Sequence, residues 1–148
     1  MINFVSRFSS FFPRVCFSTG IRTEHEHATL VLKDLNNHEI AGESGLAVRT
    51  ANPFNEDIHA LASTLLDYSK VVTTPMDFLI IQKKLDLDQY KSFEEFATDI
   101  RLVFSNCLAY NHQTSAFEIR AMANTLSHYF ETVVSAITGR PRHVVAME

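Results

Sequence analysis

The sequence predicts an all-α fold, a four-helix bundle with a long functional loop between its first two helices. Three observations carry that expectation: apolar residues recurring at helical spacing, recognisable start and stop signals around those stripes, and no convincing strand pattern. The chain has 148 residues and 46% hydrophobic content, enough for one domain to bury a single core without metal or disulfide support. The expected organisation is an N-terminal extension over residues 1–23, a domain over 24–139 and a tail over 140–148.

The first 22 residues hold five phenylalanines, four serines and Arg7, Arg14 and Arg22, with no acid before Glu24. That composition resembles an organelle presequence, but the preferred reading is a disordered extension, or residues upstream of the true start codon. A secretory signal fits less well, because Arg7 and Pro13-Arg14 interrupt the apolar run. Residues 27–40 then form a first amphipathic helix, with Leu30, Val31, Leu32, Leu35 and Ile40 supplying apolar surface and Gly42 and Gly45 ending it. Residues 42–76 carry Gly42, Gly45, Pro53 and Pro75 without a sustained period. A connection of that length in a compact domain is expected to carry function.

Asp77 follows Pro75-Met76 as an N-cap for a short helix through Leu85, with Phe78, Ile81 and Leu85 at three- and four-residue spacing. Ser92-Phe93-Glu94-Glu95 reads as a capping box, opening a helix whose stripe is Phe93, Phe96, Ile100, Val103, Phe104 and Cys107. Ser115-Ala116-Phe117-Glu118 repeats the box ahead of Met122, Leu126, Tyr129, Phe130, Val133 and Ile137, and Gly139 and Pro141 stop that last helix.

Charge and cysteine usage narrow the function classes. A net charge of −4 with interspersed lysines and arginines argues against a dominant grip on phosphates, so direct nucleic-acid binding is not expected and basic partners are easier to accommodate. No run approaches the roughly 18 apolar residues of a membrane span. Cys16 and Cys107 stand far apart in unrelated contexts, which suggests neither a disulfide framework nor a metal site and fits a reducing compartment. Cys107 and His112 could pair as nucleophile and base, but Cys107 falls on an apolar stripe, where cysteines are usually inert packing residues. His25-Glu26-His27 lacks the HExxH spacing that puts two imidazoles on one helical face. The expectation is a binding module, not an enzyme, with no cofactor and no metal.

Several motifs in order resemble the bromodomain family: Pro75-Met76-Asp77, Lys84-Leu85 followed by Tyr90, Glu95-Phe96, the run from Asp99 to Phe104, and Asn106-Cys107 ahead of Tyr110-Asn111. The resemblance extends over residues 27–137, with Pro53-Phe54 similar to the end of the family's Trp-Pro-Phe shelf. It implies a left-handed bundle and recognition of acetylated lysine, in which Asn111 donates to the acetyl carbonyl and Tyr68 reaches the same oxygen through water. It also implies pocket walls from Tyr110, Phe54, Ile58 and Leu65, a gatekeeper at Phe117, and Cys107 near the floor.

A slot of this kind suits a neutral amide with an apolar methyl, whereas an inserted ammonium is expected to lose hydration and meet no carboxylate. The implied partners are an acetylated histone H3 or H4 tail or another acetylated protein, and subunits of a chromatin complex. The implied setting is nuclear transcription regulation, unless residues 1–23 direct the chain to an organelle. Four departures weigh on affinity: Asn52 stands for the shelf tryptophan, Ser63 for an aliphatic residue, and Asp57 and Leu66 for loop prolines, while residues 42–51 look like an insertion. The alternative is a divergent bromodomain serving as a protein-protein scaffold without acetyl-lysine binding.

Overall fold

The computed structural model describes residues 23–41, 47–49, 52–112 and 116–139. Helix α1 is Glu24–Asn36, strands β1 and β2 are Glu39–Ala41 and Ala47–Arg49, and a 3-10 turn covers Asn52–Phe54. Two short helices follow, α2 over Ile58–Ala62 and α3 over Tyr68–Val71, before the three long ones: α4 Phe78–Asp86, α5 Phe93–Tyr110 and α6 Phe117–Thr138. Helices α1, α4, α5 and α6 form an all-α bundle in which α1 packs against each of the other three and α5 packs against α4 and α6.

The helix ends follow from local chemistry, with some differences from the sequence reading. Helix α1 begins at Glu24, earlier than expected, because Thr23 and Glu26 form a reciprocal capping box: the Glu26 N–H donates to the Thr23 hydroxyl at 3.2 Å and the Thr23 N–H to the Glu26 carboxylate at 3.0 Å. It stops at Asn36, short of Ile40, and the following residues enter an antiparallel hairpin in which Glu39 pairs with Arg49 and Ala41 with Ala47. The sequence reading expected no strand here. Three-residue arms are too short to show a period of two, so the pattern could not reveal them.

Asp77 caps α4 as expected, accepting from the Ile80 N–H at 2.6 Å. Ser92 accepts from the Glu95 N–H, but the Glu95 carboxylate turns to the Lys91 N–H at 2.9 Å and leaves the expected box half made. The N-cap of α6 is Ala116, which makes no side-chain cap bond, and Ser115 lies outside the described residues. Outside them too lie Cys16, residues 42–46, 50 and 51 of the expected insertion, and the sequences before residue 23 and after 139. No helix among the described residues is long and apolar enough to cross a membrane.

The apolar stripes converge as their spacing requires. Phe96, Ile100 and Phe104 of α5 and Leu126 and Phe130 of α6 are fully buried with Leu32 and Leu35 of α1 and Phe78, Ile81 and Leu85 of α4. Polar ties between helices supplement this core. Tyr129 donates to Asp34 at 2.6 Å, joining α6 to α1, and Asp99 of α5 takes both the Lys84 ammonium and the Tyr90 hydroxyl.

Arg101 makes a two-pronged pair with Glu131, Nε to Oε1 at 2.7 Å and Nη2 to Oε2 at 3.2 Å, and the Glu131 side chain is only 5% exposed. Arg101→Met strips that buried carboxylate of both donors and is expected to cost about 3 kcal/mol of stability. Urea denaturation measures it, and a loss under about 1 kcal/mol contradicts the pair's role.

Candidate functional site

The loop from the 3-10 turn to Asp77 is fixed to the bundle at several named points. Phe54 is buried, with its ring 5.9 Å from that of Phe78 and edge-on to Phe104 at 5.7 Å, and so anchors the start of the loop. Asp57, where the family has a proline, is the N-cap of α2 and accepts from the His59 and Ala60 N–H groups. At the far end, Asn106 donates to the Thr74 carbonyl at 2.8 Å and Tyr110 to the Leu66 carbonyl at 3.1 Å. The cap residue Asp77 has a second task, because its other carboxylate oxygen accepts from the Ile58 N–H at 2.9 Å. One buried carboxylate thus starts α4 and holds α2 against it.

Between this loop and the C-terminal half of α5 lies a cavity of about 180 Å³. Of the residues expected to form a site, Phe54, Ile58, Leu65, Tyr68, Cys107, Tyr110 and Asn111 all line it. Phe117 does not; it is 74% exposed at the start of α6, and Ile119 supplies the α6 wall instead. Residues two apart on a helix point some 200° apart, so an α6 register that turns Ile119 inward turns Phe117 out. Pro53, expected as part of the shelf, lines it too, and Leu61, Met76, Val103 and Asn106, which were not among the expected site residues, complete the mostly apolar lining. Val103 and Asn106 could have been found, since Val103 sits four residues before Cys107 and Asn106 four before Tyr110 on α5.

A further correction concerns charge. No carboxylate was expected near an inserted side chain, yet Glu56 and Asp77 belong to the wall, which among the described residues contains no lysine, arginine or histidine. Both Asp77 oxygens are occupied by backbone N–H groups, and Glu56 is exposed to solvent, so neither offers an ammonium a dry, unengaged partner.

Asn111 is the C-cap of α5, and its backbone N–H and its side-chain Nδ2 both donate to the Cys107 carbonyl at 3.0 Å. One amide proton is spent on orienting the side chain, and Nδ2 also meets the Cys107 Sγ at 3.7 Å, a weak acceptor that a ligand carbonyl can displace from the second N–H; the amide oxygen is the other group offered to a ligand. Tyr68 stands edge-on to Tyr110 with ring centroids 4.9 Å apart, and it is 5% exposed. Its hydroxyl has no hydrogen bond to any described residue, while no sealed side-chain polar atom among those residues lacks a partner. The hydroxyl is therefore not sealed from solvent, and Tyr68 lines the cavity. Burial raises its pKa, with Cys107, Asp77 and Tyr110 adding to the effect, so it stays protonated and can both donate and accept at neutral pH.

Burial likewise pushes the Cys107 thiol up to about 11, against smaller opposing pulls from the Asn111 hydrogen bond and the Arg120 charge. A protonated thiol is a packing group, not a nucleophile. In a Cys16→Ser variant, alkylation of Cys107 by iodoacetamide is expected to be slow at pH 8 and to accelerate toward pH 11; a fast reaction at pH 8 contradicts this environment.

The bromodomain family model matches residues 47–124, more than half of the chain and the whole stretch from β2 through the cavity into α6. The chain belongs to the bromodomain family. A bromodomain is a reader module and generally not an enzyme, and the all-α bundle described above agrees with this family. This bromodomain is 39% identical over 87 residues to a protein titled histone acetyltransferase GCN5 from Yarrowia lipolytica (strain CLIB 122 / E 150). The match covers 59% of this chain but only 16% of that relative, whose title therefore describes a much longer protein.

Proposed function

We propose that this bromodomain reads acetylated lysine in histone H3 or H4 tails or in other acetylated proteins, without catalysing a reaction itself. Its setting is nuclear, as part of a chromatin complex that regulates transcription. The observation that carries the reading is the meeting of an oriented amide and an unengaged phenol in one mostly apolar cavity that has no cationic side chain among the described residues. The second Asn111 N–H donates to the acetyl carbonyl, the Tyr68 hydroxyl reaches the same oxygen through water, and the methyl packs among Ile58, Val103 and Cys107. Such a bridge is nearly as good enthalpically as a direct hydrogen bond. The exposed Glu56 at the wall suits the basic residues that flank acetyl-lysines in histone tails.

Calorimetric titration of the whole chain with paired acetylated and unmodified H3 and H4 tail peptides tests the proposal. Binding that requires the acetyl group supports it, and equal binding of both members of each pair refutes it. Tyr68→Phe sharpens the test, because the hydroxyl it deletes has no partner among the described residues. Thermal stability is expected to stay unchanged while affinity falls about 3- to 10-fold, as befits one lost water-mediated bond. A stability loss without an affinity loss contradicts the assigned role.

A further inference from the structure

Arg120 occupies a position that its own helix does not favour. It is the fourth residue of α6, in the first turn, where the helix dipole opposes a cation. Its guanidinium instead crosses to the end of α5, where Nη1 donates to the His112 carbonyl at 2.9 Å and to the Asn111 carbonyl at 3.3 Å. Carbonyls at a helix C-terminus have no intrahelical partner and carry partial negative charge, so a cation there is doubly favourable.

We propose that Arg120 is a positioning residue that holds Asn111 in the orientation an acetyl carbonyl requires, and that sets the gap between the α5 and α6 walls of the cavity. The inference rests on the acetyl-lysine reading of the site. On its N-terminal side Asn111 is tied to the Cys107 carbonyl through its backbone N–H and its Nδ2. On its C-terminal side the chain leaves the helix, at φ −92° and ψ 44°, and the Arg120 contact is what holds the Asn111 carbonyl. Fixing that peptide plane fixes ψ, and the side-chain rotamer depends on the backbone angles.

The same contact acts on the opposite wall. Ile119, adjacent to Arg120, lines the cavity, and its carbonyl receives the Cys107 thiol at 3.9 Å. A single guanidinium therefore spans the two helix ends that carry the amide and the α6 wall. Neither the capping pattern nor the apolar stripe of α6 assigns Arg120 a role.

The test compares the whole chain with Arg120→Met, which keeps the stem and removes the donors, and Arg120→Lys, which keeps the charge but not the fork. Two quantities are read: affinity for an acetylated histone-tail peptide, and the NMR resonances of the Asn111 side-chain amide in the ligand-free protein. Arg120→Met is expected to weaken binding on the order of 5-fold. It should also shift the Asn111 amide resonances while those of Phe54 and Phe78 stay in place, and Arg120→Lys should restore part of both. If Arg120→Met does not fold, Arg120→Lys carries the test with a smaller shift and loss in the same directions. Unmoved Asn111 resonances overturn the inference, whatever happens to affinity. Failure of every acetylated peptide to bind the unaltered chain overturns the proposed function instead, while the ligand-free Asn111 resonances still report on Arg120.

Discussion

Asn111→Ala is expected to lower affinity for an acetylated peptide by about 5- to 150-fold, because a carbonyl brought into a largely apolar cavity loses its direct donor at a cost of about 1–3 kcal/mol. The bundle should survive the change. Asn111 is the C-cap of α5, and its backbone N–H bond to the Cys107 carbonyl does not depend on the side chain, so the loss is the Nδ2 bond to that carbonyl together with a weak contact to the Cys107 Sγ at 3.7 Å. That bond is worth about 0.5–1.5 kcal/mol of stability. Paired calorimetry and thermal denaturation separate the two effects, and a variant that binds acetylated peptide as tightly as the unaltered chain contradicts the assignment of Asn111.

Asp77→Ala is expected to have the largest effect on stability among substitutions at the cavity, about 2–4 kcal/mol, and to damage binding as well. Two backbone N–H groups depend on this carboxylate: Ile80 in the first turn of α4, and Ile58 at the start of α2. Loss of the first weakens a helix start, and loss of the second releases the segment that brings Ile58 to the cavity wall. Asp77→Asn retains one acceptor oxygen and is expected to lose about half as much. Urea denaturation measures the stability change. Hydrogen exchange at the Ile58 and Ile80 amides locates it, and unchanged exchange at both sites contradicts the double role.

The sequence made the long helices legible because their signals are local and repeated. The stripe from Phe93 to Cys107 lies on one face, and Asp77 and Ser92 announce the two starts. Helix α1 was read three residues late because Thr23 and Glu26, a complete capping box, precede its first buried residue, Ala28. The hairpin left no readable period, and α2 and α3, at five and four residues, span little more than one turn each. They exist through caps and tertiary ties, such as the Asp77 bond to Ile58 and the Tyr110 bond to Leu66, that no local pattern encodes.

The candidate site was legible mainly through the order of its motifs. Asn111, Tyr68, Tyr110, Phe54, Ile58, Leu65 and Cys107 come together around the cavity, although Phe54 and Asn111 are 57 residues apart in sequence. What motif order did not supply was rotation and charge. The register of α6 exchanges Phe117 for Ile119, and the wall carboxylates Glu56 and Asp77 sit beside residues that read as apolar. Arg120 was missed for a similar reason: an arginine near a helix start looks like a solvated charge until the neighbouring helix end is in place.

The most direct measurement is an isotope-filtered NOESY of the whole chain bound to a histone-tail peptide whose lysine carries a 13C-labelled acetyl group. Contacts from the acetyl methyl to Ile58, Val103 and Cys107 are expected, and they should disappear in Asn111→Ala. Contacts to residues outside the cavity, or none at all from a peptide whose binding requires acetylation, contradict the account.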